Sequence, residues 1–364
     1  MLAPTLARFL FFFAITVHAG SRQWQPSIGS LRANAGSAAN VSRRALAFRP
    51  GTATGDSIVW PKKQIRYCYE NDDAKEKLGG MFFAGRERWA TLNDQGFTYK
   101  EVSKSECSSN RGKVLLIKYN SVGKLSSTVG IPAATEDIPG PTMHLSDNIG
   151  VGFRELAANA AHEIGHAWGL LHEHQNPKFW STSTIHVGSS EWPVALKNGE
   201  TFWTANFNCK NLKDYEKKMA EVKAGDEPDD AKYICSWYQT ANKYHFSAAE
   251  WLPIIGPLFD DDDEVDLSSI MLYPSGAGAT GYADAETDER LSILTLDGGE
   301  KLPENRTPST MDIARIITLY GSETASDGDL HVKGKMKNML KKVRSKFSLR
   351  SGDSTTGSCA VDSS

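Results

Sequence analysis

The spacing of apolar residues between positions 60 and 120 changes repeatedly, which predicts a sheet with one long helix packed against it. Apolar runs with the short period of strands fall at 65–69, 97–102 and 114–119. After the first run, the apolar residues follow helical spacing and predict an amphipathic helix over 73–93 whose apolar side packs on the sheet. These residues are Ala74, Leu78, Met81, Phe82, Gly85 and Trp89.

Fewer elements are predicted in the rest of the chain. Thr142–Leu145 is a short segment that we expect to form an edge strand, and helices are expected over 152–168 and 309–320. The stretch 176–265 has no clear period. Its acidic run, 260–264, is typical of a solvated loop, with a calcium site as the alternative.

The two ends of the chain have the composition of processed or unfolded segments. Residues 1–19 predict a secretory signal peptide, because a basic residue precedes an apolar stretch too short to span a bilayer; an uncleaved anchor is the alternative. Residues 20–50 predict a pro-segment or linker, with Arg43–Arg44 as a processing site. Residues 322–364 predict a basic, disordered tail, either solvated or forming an amphipathic helix for surface contact.

Composition narrows the class of protein further. A chain of 364 residues with 40% hydrophobic residues can bury a large core, and a net charge of −3 gives no reason to expect nucleic-acid binding. Five cysteines behind a signal peptide favour disulfides, of which Cys209 with Cys235 and Cys68 with Cys107 are one arrangement, leaving Cys359 over. We therefore expect a secreted, extracellular protein without stable membrane insertion.

Positions 162–175, HEIGHAWGLLHEHQ, hold four of the nine histidines and the main candidate chemistry. On a helix, His162 and His166 leave the same side about one turn apart and can bind one metal ion. Glu163 projects beside that ion, which is the HExxH arrangement of two zinc ligands and a glutamate general base. The motif predicts a zinc site on the helix over 152–168.

The third ligand needs the helix to end. If the helix continued, His172 would lie about 240° round from His166 and would point away from the metal. Gly169 can adopt the left-handed conformation that ends a helix and turns the chain back. Three imidazoles leave a fourth position for water, which indicates a catalytic zinc. His174 is not expected to be a ligand.

A second motif, Ser269-Ile270-Met271-Leu272-Tyr273, follows further along the chain. A methionine in a tight turn can place an apolar, polarisable floor under a metal site. Together the two motifs resemble the metzincin zinc peptidases and, within them, the astacin family, which typically shows HExxHxxGFxHEH and SIMHY. Gly55–Trp60 and Met311–Tyr320 are similar to the start and the closing helix of an astacin domain. Leu272 departs from the usual histidine.

This resemblance implies a fold and a domain. The fold is an α+β, metzincin-type zincin fold, with an N-terminal twisted mixed sheet, an active-site helix, an irregular C-terminal subdomain and a cleft between them. The catalytic domain would cover 51–321. One catalytic Zn²⁺ would be held by His162, His166 and His172.

The resemblance also implies roles for four other residues. Glu163 is the catalytic base, and Met271 lies in the Met-turn. Tyr273 matches the catalytic tyrosine that ligates zinc at rest and then stabilises the oxyanion. Glu173 matches the residue that anchors the mature N-terminus.

The expected function is a secreted zinc endopeptidase acting on protein or peptide substrates. The substrate would add as a strand to an edge of the sheet near Met143–Leu145. The alternative is a secreted, zinc-containing binding or adhesion protein with little or no activity. Glu163 argues against it, because a structural zinc site does not require a base.

Overall fold

A mixed sheet of six strands forms the N-terminal part of the molecule. The computed structural model describes residues 24–27, 58–136, 138–176, 180, 206–253 and 265–321. The strands are β1 (Trp24–Ser27), β2 (Gln64–Tyr69), β3 (Thr98–Glu101), β4 (Leu115–Tyr119), β5 (Leu125–Thr128) and β6 (Thr142–Leu145). Their spatial order is β1-β5-β6-β4-β2-β3, and all neighbouring pairs are parallel except β5 with β6.

Six α-helices accompany the sheet in the described part of the chain. They are α1 (Asp72–Glu87), α2 (Lys104–Ser109), α3 (Leu156–Trp168), α4 (Tyr215–Ala224), α5 (Tyr238–Lys243) and α6 (Thr310–Gly321). The helix predicted over 73–93 is therefore confirmed as α1 but ends earlier. A separate helical turn, Ala90–Gln95, follows it and stops at Gly96, whose φ is +80°. Asn71 caps the start of α1 by accepting a hydrogen bond from the Ala74 amide, 2.8 Å away.

Helix α1 packs closely on α3, the helix that carries the HExxH motif. A Cβ atom at Gly85 would lie 2.7 Å from Ala160 Cβ and 2.9 Å from Ala161 N. Only a glycine on α1 against alanines on α3 permits this approach, because real Cβ atoms do not come so near. The small residues thus let α1 and α3 pack directly against each other.

The expectation that Thr142–Leu145 is an edge strand is wrong. This strand, β6, lies inside the sheet between β5 and β4. Strand β5 separates it from the edge, and its sequence LSST gave no apolar pattern although Ser126, Ser127 and Thr128 are all buried. Strand β1 then pairs along the outer side of β5, from Trp24 with Leu125 to Ser27 with Thr128. It falls within 20–50, where only a pro-segment or linker was expected.

Two disulfides match the expected arrangement of cysteines. Cys68–Cys107 joins β2 to α2, and Cys209–Cys235 closes a loop within the region 206–253. Cys359, the acidic run 260–264, Arg43–Arg44 and the predicted signal peptide and tail lie outside the described residues. Within the part of the chain that is described, no helix is long and apolar enough to cross a membrane.

Candidate metal centre

Helix α3 presents His162 and His166 from the same side, as their spacing predicts. The helix runs from Leu156 to Trp168, and every residue from Ala158 onward is buried. Gly169 ends it with φ at +111°, and the Leu170 amide then bonds to Gly165 O at 3.0 Å. This turn brings His172 back toward the helix, so the prediction for Gly169 is confirmed.

The three histidines form a cluster whose ligand atoms all lie within 4.8 Å of one another. Each of them is at most 1% exposed. The Nε2 atoms of His166 and His172 are 3.0 Å apart. Two nitrogens bound to a tetrahedral zinc at about 2.0–2.1 Å would be separated by about 3.3 Å, which is close to this spacing. His174 does not belong to the cluster, as expected.

Hydrogen bonds fix the tautomer of the cluster. Nδ1 of His162 lies 2.8 Å from Ile270 O, and Nδ1 of His166 lies 2.8 Å from Leu170 O. A carbonyl oxygen only accepts, so both Nδ1 atoms carry the proton and both Nε2 atoms offer a lone pair. His172 Nδ1 makes the corresponding contact with Gln175 Oε1 at 2.8 Å. Lone pairs only 3.0 Å apart repel each other unless a cation lies between them, so the cluster fits a metal ion.

Burial keeps the imidazoles in the form that binds metals. Desolvation holds the pKa of His162 and of His172 well below the usual range, and the neighbouring His166 lowers both further. Desolvation also lowers the pKa of His166 to about 4. All three rings are therefore neutral near pH 7. Neutral imidazole is the ligand form that Zn²⁺ requires.

Glu163 is buried beside this cluster. Both carboxylate oxygens are buried, and neither has a hydrogen-bond partner among the described residues. Desolvation raises the pKa of Glu163 well above its usual range, with a smaller contribution from Glu250 and an opposing one from Lys124. A buried carboxylate without partners is costly in a purely structural role. A cation in the cluster would favour its charged form.

Met271 packs under the metal-binding helix. A Cβ atom at Gly165 would lie 2.5 Å from Met271 Sδ and 3.2 Å from the Trp89 ring. The glycine of HEIGH therefore makes room for the methionine side chain, which is fully buried. That Met271 forms a floor under a metal ion stays a prediction.

The turn that carries Met271 is held by Asp312 from α6. One carboxylate oxygen of Asp312 accepts from Ser269 Oγ at 2.6 Å, and the other accepts from the Ile270 amide at 3.0 Å. Burial raises the pKa of Asp312 to about 6, against these hydrogen bonds, which lower it. In the same turn, Ile270 O accepts a hydrogen bond from His162 Nδ1. By holding this turn in place, α6 helps to orient a histidine of α3.

Tyr273 lies against the histidines with its ring fully buried. Its ring centroid is 4.2 Å from that of His172 and 5.6 Å from that of His162. Trp251 packs on its other side at 5.2 Å. Desolvation raises the pKa of Tyr273 well above its usual range, and Glu250 and Glu163 raise it further. The phenol is therefore a neutral hydrogen-bond donor near pH 7.

Glu173 and His174 connect the third ligand to the C-terminal half. Glu173 Oε1 accepts from the Asp266 amide at 2.8 Å. The mature N-terminus that Glu173 was expected to anchor lies outside the described residues. His174, which is fully buried, has Nε2 2.8 Å from Glu250 O and stacks on His172. The sequence gave no reason to expect these contacts, because Glu250 and Asp266 are more than 70 residues away in the chain and no local pattern connects them to Glu173 and His174.

The fold and site together define the class of protein. A mixed sheet, a helix with two histidines, a third histidine after a glycine turn and a methionine beneath them make up a metzincin-type zincin fold. The fold class expected from the sequence is confirmed, and the motifs on which the astacin resemblance rests occupy the positions it implied.

Comparisons with known proteins give only distant likenesses. No family model and no curated protein matches the sequence. A solved structure of high choriolytic enzyme 1, a hatching enzyme zinc-protease from the medaka fish Oryzias latipes, is 17% identical, with 76% of this chain and 98% of that chain covered and a TM-score of 0.39. Myroilysin is 15% identical, with 75% and 97% covered and a TM-score of 0.34. Metalloproteinase-II from Bacteroides fragilis is 15% identical, with 34% and 49% covered and a TM-score of 0.21.

Proposed function

We propose that this protein is a zinc-dependent endopeptidase that hydrolyses peptide bonds of extracellular proteins. The observation that carries the proposal is the cluster of three buried imidazoles, each with Nδ1 engaged elsewhere, next to a buried carboxylate whose oxygens have no partner among the described residues. The histidines supply a ligand set with an open position. Glu163 supplies the base that such a site needs for hydrolysis.

Each residue of the site has a defined task in this proposal. His162, His166 and His172 hold one Zn²⁺, which when bound acts as a Lewis acid and lowers the pKa of water. Glu163 accepts a proton from the attacking water and delivers it to the leaving amine. Tyr273, kept protonated by burial, donates a hydrogen bond to the oxygen on which negative charge develops. Met271 supports the ligand geometry from below and takes no part in proton transfer.

The proposed substrate strand adds to β5 and not to β6. Strand β5 borders the metal-binding helix, as the Gly130 amide just beyond it bonds to His166 O at 2.9 Å. A peptide added to the outer side of β5 would satisfy its backbone groups. In the full chain β1 occupies this position. Cleavage at Arg43–Arg44 would remove β1 along with the proposed pro-segment and expose the edge.

Secretion belongs to the same proposal. The two disulfides agree with an oxidising compartment. The predicted signal peptide would direct the chain there, and the basic tail over 322–364 would provide a surface contact.

The test is casein hydrolysis by the purified protein, comparing the full chain with a chain that begins near residue 51. We expect activity in the shorter chain that a zinc chelator abolishes and that added zinc restores. Glu163→Ala should bind one zinc and lose turnover by a factor of at least about 10³, because the base is absent while the ligands remain.

Two outcomes would separate the proposal from its alternative. A folded, zinc-loaded chain without activity on casein or on peptide libraries would favour the binding or adhesion protein. Full activity in Glu163→Ala would remove Glu163 from the reaction. Tyr273→Phe should lower kcat more than it changes KM, and unchanged kinetics would remove the phenol from the mechanism.

A further inference from the structure

Gln175 joins the third histidine of the cluster to the region 206–253. The residue follows His172 by one helical turn, in the turn Glu173–Gln175, and is 1% exposed. Its Oε1 is 2.8 Å from His172 Nδ1. Its Nε2 donates to Ala249 O at 2.9 Å and to Leu252 O at 3.1 Å. One side-chain amide thus makes three hydrogen bonds, two of them to a distant part of the chain.

These partners fix which way the amide points. Carbonyl oxygens cannot donate, so the end of the amide that faces Ala249 and Leu252 must be the NH₂ group. The oxygen therefore faces His172 and can only accept. His172 Nδ1 must then carry the proton, which leaves the lone pair on Nε2, the atom 3.0 Å from His166 Nε2.

The other two histidines of the cluster are oriented by backbone carbonyls: His162 Nδ1 donates to Ile270 O, and His166 Nδ1 donates to Leu170 O. His172 is instead faced by the side chain of Gln175, which is itself held by the segment 247–252. Two other residues of this segment also make contacts near the cluster. Glu250 O lies 2.8 Å from His174 Nε2, and the Trp251 ring packs on the Tyr273 ring. The segment follows α5, which begins three residues after Cys235 and so outside the loop that Cys209–Cys235 closes.

We propose that Gln175 is a positioning residue that sets the tautomer and orientation of His172, and that it makes metal affinity depend on the 247–252 segment. The inference rests on the proposed zinc site and adds to it a residue that no motif assigned. Partners of this kind orient metal-bound histidines and raise their basicity, and losing one lowers metal affinity by about 10–100-fold.

The experiment measures zinc affinity rather than turnover. The full chain is stripped of metal and titrated with Zn²⁺ in competition with a chromophoric chelator. Gln175→Met keeps the size of the side chain but removes both hydrogen-bonding groups, so we expect zinc binding about 10–100-fold weaker than in the native chain. The visible absorption spectrum of the Co²⁺-loaded chain should change as well, because the ring of His172 is no longer fixed.

A second variant separates positioning of the ligand from a purely structural role. Gln175→Glu keeps an acceptor for His172 Nδ1 and loses the donor to Ala249 and Leu252. We expect its zinc affinity to fall clearly less than that of Gln175→Met, because a carboxylate still accepts from His172 Nδ1 although it is no longer held by Ala249 O and Leu252 O. This variant also decides the matter if Gln175→Met does not fold.

The matched control is Asn120→Ala. Asn120 Nδ2 also donates to two backbone carbonyls, Lys124 O at 2.8 Å and Leu145 O at 3.0 Å, but contacts no histidine. We expect this variant to lose stability and to keep the native zinc affinity and Co²⁺ spectrum. Native affinity in Gln175→Met, or a loss in Gln175→Glu as large as the loss expected for Gln175→Met, would overturn the role of Gln175. A native chain that binds no zinc would instead contradict the proposed metal centre.

Discussion

The two halves of this protein differ in how their structure is specified. In the part from 58 to 176, helices α1 and α3 and strands β2, β3 and β4 follow the apolar spacing of the sequence, and a helix supplies two of the three clustered histidines. In the part from 206 to 321, short helices and turns predominate, and the longest regular element is α6. The patterned half therefore provides the ligands.

The irregular half provides groups that orient two of these histidines, His162 and, through Gln175, His172, whereas Leu170 O orients His166 from within the first part. Ile270 O accepts a hydrogen bond from His162 Nδ1. Ala249 O and Leu252 O accept hydrogen bonds from the side-chain amide of Gln175, and the oxygen of that amide accepts from His172 Nδ1. Every residue type carries a backbone carbonyl, so the sequence does not mark which carbonyls make these contacts. The turns of the chain, and not the spacing of its apolar residues, set where they lie. A site of this kind depends on tertiary contacts in one half and on a sequence motif in the other.

The largest expected effect is a loss of stability when the disulfide of either half is removed. Replacing Cys209 and Cys235 by Ser, or Cys68 and Cys107 by Ser, should lower the free energy of unfolding by about 3–4 kcal/mol in either case, because loops of 26 and 39 residues gain chain entropy. Zinc affinity should distinguish the two variants.

Loss of Cys209–Cys235 should weaken zinc binding by about tenfold, since Cys235 anchors the chain just before α5 and the segment 247–252, whose carbonyls hold Gln175. Loss of Cys68–Cys107 should leave zinc affinity in the folded chain unchanged. Denaturant unfolding and chelator competition on both variants provide the two measurements. Equal zinc affinity in the two variants would contradict the division of tasks between the halves.

A smaller effect is expected where the halves touch, at Gly165. Gly165→Ala should destabilise the protein by about 1–3 kcal/mol, because the new Cβ would meet Met271 Sδ at 2.5 Å. The measurement is the free energy of unfolding from urea titration. Met271→Leu, which keeps the apolar volume and removes the sulfur, serves as the second variant. Stabilisation by Gly165→Ala, as helix propensity alone would give, would refute the close contact.

A pH-dependent effect is expected within the sheet, at His144 on β6. Burial lowers the pKa of His144 to about 4, with smaller contributions from Lys124 and Lys118. The unfolded chain, with a pKa near 6.5, therefore binds more protons between these values, and stability falls as pH decreases from about 6.5 to about 4. Between pH 7 and pH 5 this loss amounts to about 2 kcal/mol.

His144→Gln should remove that part of the pH dependence. The measurement is the difference in free energy of unfolding between the native chain and the variant at pH 7 and at pH 5, which cancels the other titrating groups. A difference that does not change with pH would show that His144 is accessible to protons in the folded state.

The sequence predicted the site better than it predicted the sheet. His162, His166 and His172 could be assigned because the ligand geometry of one helix and one turn is local, and Gly169 signals that turn. Strand β5 could not, because its buried residues are polar and its pairing is fixed by β6 and β1, which are distant in the chain. For the same reason β6 was misplaced at an edge.

Gln175 shows the limit within the site itself. It follows His172 by three residues, a spacing that could have indicated contact on a helical turn. Its importance depends on Ala249 and Leu252, and no local pattern connects them to it. Roles that rest on distant backbone carbonyls become visible only in the fold.

The smallest expected effect concerns a substitution in the first half that leaves the spacing of its apolar residues unchanged. Gly80 lies on the exposed side of α1, and a Cβ atom there would meet nothing within 4 Å. Gly80→Ala should therefore stabilise the protein by about 0.5–1 kcal/mol, because alanine loses less backbone entropy in a helix than glycine does. The opposite sign is expected for the same substitution at Gly165, so urea unfolding of the two variants compares an unconstrained helix surface with the contact under the metal site. If both substitutions stabilised the protein, helix propensity would outweigh packing at Gly165, and the close contact of Met271 with α3 would not be what requires that glycine.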